Sequence, residues 1–182
     1  MTSGNVSDEP IAYENEDALD RLAQIADAFL LHDRPIESRT DDSVLRVIET
    51  ASGSRPMLVR RSRGYVPRHL ELPVLAPKPI LACGAEQKNT FCLAKGSRAW
   101  VGHHIGDLEH YSAFRAYRDG IDHFERLFAV TPRVVAHDLH PGYLSTRYAL
   151  EREDVEHFGV QHHHAHLAAC LAEMEEIGRA HV

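Results

Sequence analysis

Apolar residues recur along this chain with two different periods, and the change from one to the other divides it into elements. Leu19, Leu22, Ile25, Ala26 and Phe29 fall at helical spacing, and Asn15 stands where a side chain can accept from the free amides of a first turn. A short strand through Phe29, Leu30 and Leu31 is expected next, broken by His32-Asp33-Arg34-Pro35. Val44, Val47 and Ile48 predict a half-buried strand, and Ser52-Gly53-Ser54 a turn into Met57-Leu58-Val59. Leu72 to Pro79 carries Pro73, Pro77 and Pro79, which remove amide donors and hold the backbone extended, so residues 73–79 are expected to link two domains. Beyond this segment the pattern predicts strands over Ile80–Cys83, Thr90–Ala94 and Arg98–Gly102, with Gly96-Ser97 turning between the last two. A helix from about Tyr111 to Phe128 carries Phe114, Tyr117, Ile121, Phe124 and Leu127 on one face. A strand over Arg133–Ala136, a helix over Ser145–Glu153, a strand over Phe158–Val160 and a helix from about His162 to Glu175 complete the order.

The last strand-to-helix junction holds the densest chemistry, Gln161-His162-His163-His164-Ala165-His166. In a helix that begins by His162, His162 and His166 lie one turn apart on one face and can reach the same ion. Clustered histidines on a solvated helix start bind nothing in particular, but the flanking strand and the apolar Leu167, Ala168 and Leu171 predict a buried setting that favours a metal site. With 182 residues and 43% hydrophobic content, the chain can bury one ordinary core or parts of two. A net charge of -7 argues against a general nucleic-acid surface. Cys83, Cys92 and Cys170 form no CxxC pair, so neither a disulfide framework nor a cysteine zinc site is implied. No apolar run approaches the roughly 18 residues that a membrane span needs, and no signal segment opens the chain. The expected compartment is the cytoplasm.

Several longer motifs follow one another in order. They are Asp8-Glu9-Pro10-Ile11, His32-Asp33-Arg34-Pro35-Ile36, Arg39-Thr40-Asp41-Asp42-Ser43-Val44, Arg60-Arg61-Ser62-Arg63-Gly64-Tyr65 and Lys88-Asn89-Thr90-Phe91. His104-Ile105-Gly106-Asp107-Leu108-Glu109, His137-Asp138-Leu139-His140-Pro141, Tyr143-Leu144-Ser145-Thr146-Arg147-Tyr148 and Gln161 to His166 continue the series. Together they resemble the HypF family, the carbamoyltransferases of nickel-iron hydrogenase maturation. The resemblance implies an α/β fold: residues 1–72 as the carboxy-terminal part of a YrdC-like domain, then residues 80–175 as the first lobe of a carbamoyl-transfer domain. By fold analogy, the predicted order of elements in the second piece is that of one lobe of the ribonuclease-H-like fold shared by actin and sugar kinases.

The resemblance also implies a two-step activity. The YrdC-like domain makes carbamoyl adenylate from ATP and carbamoyl phosphate. The next domain passes the carbamoyl group to the carboxy-terminal cysteine of a HypE-type partner, on the route to cyanide ligands. Arginine forks suit phosphate oxygens, so Arg61 and Arg63, with Arg34, Arg39 and Arg60 nearby and the Ser43 hydroxyl, are candidates for the first site; an ordinary solvated basic loop is the alternative. Lys88 and Asn89 sit where this fold class handles nucleotide phosphates, or else serve plain turn chemistry. The resemblance makes His162 and His166 ligands of a divalent metal, zinc or iron, with carboxylates from elsewhere completing the shell. His137, Asp138 and His140 suit either another metal set or, as we prefer, a substrate-binding loop at a strand end. His163 and His164 point elsewhere on the helix, where they would face substrate, support the ligands or simply lie on the surface.

The closing residues 176–182 depart from the family pattern and read like translated sequencing-adapter DNA, so a truncated gene with a foreign tail is expected. Two other activities fit parts of this picture. An O-carbamoyltransferase would deliver the group to a sugar hydroxyl, and a stand-alone metal- or RNA-binding module would need a basic stripe with interleaved aromatics, which is missing.

Overall fold

The computed structural model describes residues 3–6, 9–51 and 53–178, with side chains described up to residue 172. The expected foreign tail, 176–182, lies outside these residues from 179 onward. The first piece holds helix α1 (Asn15–Leu22) and an antiparallel hairpin of β1 (Val44–Thr50) and β2 (Gly53–Arg60). The second is a four-stranded mixed sheet in the order β4-β3-β5-β6, built from β3 (Leu70–Ala82), β4 (Cys92–Val101), β5 (Val134–Asp138) and β6 (Glu156–Val160). Helices α2 (Tyr111–Phe128), α3 (Leu144–Leu150) and α4 (His162–Gly178) follow β4, β5 and β6 in turn. β3 pairs antiparallel with β4 and parallel with β5, which pairs parallel with β6.

The core belongs to the second piece. Leu81 stands opposite both Leu93 and Val135 in the sheet and is fully buried. Ala113, Tyr117, Ile121 and Phe124 of α2 pack onto this face with Phe91, Tyr148 and Ala149. Leu127, expected on the same face, is 52% exposed; Phe128 covers the core at the last turn instead, stacked on Trp100 of β4. The hairpin of the first piece contributes nothing to this core among the described residues: Val47 and Val59 are both largely exposed.

Several local expectations are corrected. α1 stops at Leu22, so Ile25 leaves the predicted stripe and is exposed, and Phe29 to Leu31 form no strand. Asn15 is the first helical residue rather than the cap; its side-chain amide donates to the His32 carbonyl instead, tying the helix start to the distant loop. The proline-rich segment needs no such correction in its backbone: it is extended, as proline demands, and forms the middle of β3. The predicted second and third strands are one strand, β4: Gly96, at φ 62°, bends it opposite Ala76 without turning the chain back. No helix among the described residues is long and apolar enough to cross a membrane.

Candidate functional site

Three parallel strands, β3, β5 and β6, end along one edge of the sheet, which is where open α/β sheets place their ligands. There they open on a cleft of about 810 Å³. Gly84, Lys88 and Asn89 line one wall, from the loop between β3 and β4. Asp138, Tyr143, His162 and His166 line the other.

The helix start is as the spacing predicts. His162 opens α4, and His162 Nε2 lies 3.2 Å from His166 Nε2. On its other side, His162 Nδ1 is 2.6 Å from Asp138 Oδ2. Burial works against the Asp138 carboxylate, but its hydrogen bonds with the His162 ring and the His140 amide outweigh this and hold its pKa below the usual value. The predicted buried setting is not found: Leu167 and Leu171 are 66% and 65% exposed, because α4 follows the edge strand β6 and no described element lies over its outer face. His163 and His164 are exposed, away from the cleft.

Two imidazole nitrogens converging on one point suit zinc or iron, and they supply two positions of a four-coordinate shell. Among the described residues no group of three or more histidines, cysteines or carboxylates is assembled for a metal. The donor set therefore fits two positions of a metal shell and no more.

The facing loop is tightly tied. Lys88 takes a left-handed conformation, φ 47°, and its backbone amide donates to Asp107 Oδ1 at 2.7 Å, leaving the side chain exposed at the mouth of the cleft. Asn89 is buried, and its side-chain amide donates to the carbonyls of Cys83 and Ala85. Asn89 thus closes the loop that carries Lys88. Gly84 permits the closure: at φ +69° a Cβ would lie 2.3 Å from the Thr90 carbonyl oxygen. Glu86, missed by sequence reasoning, is 6% exposed and accepts the Leu144 amide at 2.7 Å, holding the start of α3 to this loop. Local pattern carries no sign of this contact, since the partners are 58 residues apart.

The other predicted set gathers at the end of the hairpin. The Ser43 hydroxyl donates to the Arg63 carbonyl at 2.8 Å and accepts the Ser62 amide at 2.9 Å. Arg61 Nη2 donates to the carbonyls of Tyr65 and Arg68 at 3.3 and 3.2 Å. Arg63 Nη2 donates to the Thr40 carbonyl at 3.3 Å, and its exposed Nε lies 3.6 Å from Asp42. Arg39, Arg60, Lys88 and His104 line a neighbouring cavity of about 520 Å³. The predicted residues therefore form two groups, Ser43, Arg61 and Arg63 in one and Lys88, Asn89, His162 and His166 in the other.

A family model described as the HypF Kae1-like domain matches residues 76–173, more than half of the chain. The chain belongs to the HypF family. A second model, of the Sua5/YciO/YrdC family and described as telomere recombination, matches residues 1–62. The chain is 46% identical over 176 residues to the carbamoyltransferase HypF2 of Cupriavidus necator, covering 95% of this chain and 22% of that protein. It is 42% identical over 178 residues to the carbamoyltransferase HypF of Synechocystis sp., covering 96% and 23%. Among solved structures, a full-length HypF in the phosphate- and nucleotide-bound form superimposes with a TM-score of 0.89 at 49% identity, covering 96% of this chain and 27% of that one. The HypF of T. kodakarensis does so with a TM-score of 0.86 at 38% identity, covering 96% and 23%. The chain thus spans about a quarter of the length of the relatives it matches. These likenesses agree with the expected fold class, a YrdC-like α/β segment followed by a mixed sheet with helices.

Proposed function

We propose that this HypF-family chain carries parts of both sites of a carbamoyltransferase, divided at the proline-rich segment 73–79. In this reading carbamoyl phosphate loses its phosphate to water to give carbamate, and at the site of Ser43, Arg61 and Arg63 a carbamate oxygen bonds to the α-phosphorus of ATP as pyrophosphate leaves, giving carbamoyl adenylate. The thiolate of a HypE-type acceptor's terminal cysteine then forms a bond to the carbamoyl carbon as the bond to the AMP oxygen breaks. Lys88 faces the adenylate phosphate and Asn89 holds the loop in place. His162 and His166 hold a zinc or iron ion, whose charge, when it is bound, polarises the carbamoyl oxygen. The observation that carries this reading is the convergence of the two Nε2 atoms, 3.2 Å apart, at the carboxyl edge of the sheet, across the cleft from Lys88.

The test restores the rest of the protein. Residues 9–172 replace the corresponding segment of Cupriavidus necator HypF2, and the chimera receives ATP, carbamoyl phosphate and a HypE-type acceptor. Mass spectrometry should find a carbamoyl group on the acceptor's terminal cysteine, with none added by the 182-residue chain alone. In the chimera, Arg61→Ala should slow adenylate formation, whereas His166→Ala should abolish transfer and leave adenylate formation intact. Transfer at the normal rate by His166→Ala would overturn the placing of the metal in the second step.

A further inference from the structure

The geometry points to Asp138 as a positioning residue that fixes the proton of His162 on Nδ1, so that Nε2 presents its lone pair to the metal. This rests on the reading of His162 and His166 as ligands.

An ionised carboxylate only accepts hydrogen bonds, so at 2.6 Å the proton between Asp138 Oδ2 and the ring must belong to His162 Nδ1. A ring whose one proton sits there has a bare Nε2. Its neighbour at 3.2 Å, His166 Nε2, donates into that lone pair when no metal is bound. For His166 Nε2 to face a metal as well, that single proton would shift to Nδ1 of the same ring, leaving both Nε2 lone pairs free.

The sheet builds this contact. The β5–β6 register sets Asp138 opposite Val160, two residues before His162, so the carboxylate lies under the first turn of α4. The Asp138 side chain is only 8% exposed, and each oxygen has a partner: Oδ2 the His162 ring, Oδ1 the His140 amide at 2.8 Å. Its carbonyl accepts the Thr146 hydroxyl at 3.0 Å and His137 Nδ1 at 2.7 Å, so the residue is held from its own strand and from α3. A carboxylate with little access to water is stable only when such partners are in place. Carboxylate-bound imidazoles are better metal ligands, because the ring is both oriented and made more basic.

Two readouts test this on the 182-residue chain. Nitrogen-15 spectra of the metal-free protein at neutral pH, with the His162 signal assigned by its loss in His162→Ala, should show the proton on Nδ1. Zinc titration against a chromophoric chelator should show roughly 10- to 100-fold weaker binding for Asp138→Ala, with the ring tautomers mixed. Asp138→Asn keeps the shape but can donate to Nδ1 as well as accept from it, so it should also lose the fixed tautomer and weaken binding; it carries the test if the alanine variant does not fold. A proton on Nε2 in the wild type, or wild-type affinity and an unchanged tautomer in whichever variant folds, would overturn the inference. His162→Ala and His166→Ala test the underlying reading separately. If both bind zinc like the wild type, the histidines are not ligands, while the His162 tautomer still reports whether Asp138 holds the ring.

Discussion

Acid should unfold this chain partly through one ring, His103. The side chain is 4% exposed and lies edge-on to Phe91. Burial, then the positive Arg39 and the neighbouring His104 and His123, push its pKa down from 6.5 to about 4. The folded state therefore refuses a proton that the unfolded state accepts. Above pH 6.5 both states are neutral and the ring contributes no pH dependence. As pH falls from 6.5 towards 4 the unfolded chain gains the proton first, so stability is lost across that window, and below it both states are protonated and the loss levels off. The loss amounts to about 2 kcal/mol at about pH 5 and approaches about 3 kcal/mol at the acid limit. Urea unfolding at dilute protein, repeated from pH 7.5 to pH 4 on the wild type and on His103→Gln, isolates the contribution, since the carboxylates titrate alike in both. The difference in stability between the two should change by that amount within the window. Parallel curves, or a His103 ring that titrates near 6.5 by NMR, would refute the reasoning.

Gly84→Ala should destabilise the chain by about 3 kcal/mol, combining a left-handed backbone with a Cβ pressed against the Thr90 carbonyl; chemical denaturation measures it, and a change below about 1 kcal/mol would show that the loop yields freely. Tyr117→Phe deletes a buried hydroxyl that donates to the Cys83 carbonyl at 2.9 Å, and because Asn89 also donates to that oxygen, the cost should be only about 1 kcal/mol by the same assay. Phe158, Leu167 and Leu171 leave an exposed apolar strip along β6 and α4, so the isolated chain should self-associate and bind hydrophobic dyes, and Leu167→Gln with Leu171→Gln should reduce both in light scattering and fluorescence.

Elements whose pattern is local were legible in the chain. The helical spacing of Phe114, Tyr117, Ile121 and Phe124 places α2 at Tyr111–Phe128, and His162 opens α4 where a strand meets a helical run. Proline chemistry alone makes residues 73–79 extended, and the ordered motifs from Glu9 to His166 point to the family before any coordinates do. Such features depend on residues within a few positions of each other, and their physics is written in the spacing. Partners set by register are not. That the prolines lie inside β3, that Gly96 bends one strand rather than dividing two, and that α4 turns Leu167 and Leu171 outward all depend on which strand is an edge. Asp138 reaches His162 across 24 residues because β5 and β6 pair in one register, and a slip by one residue would turn its side chain to the other face of the sheet. The histidine pair is thus a property of the sequence, while the carboxylate that aims it and the loop facing it across the cleft are properties of the fold.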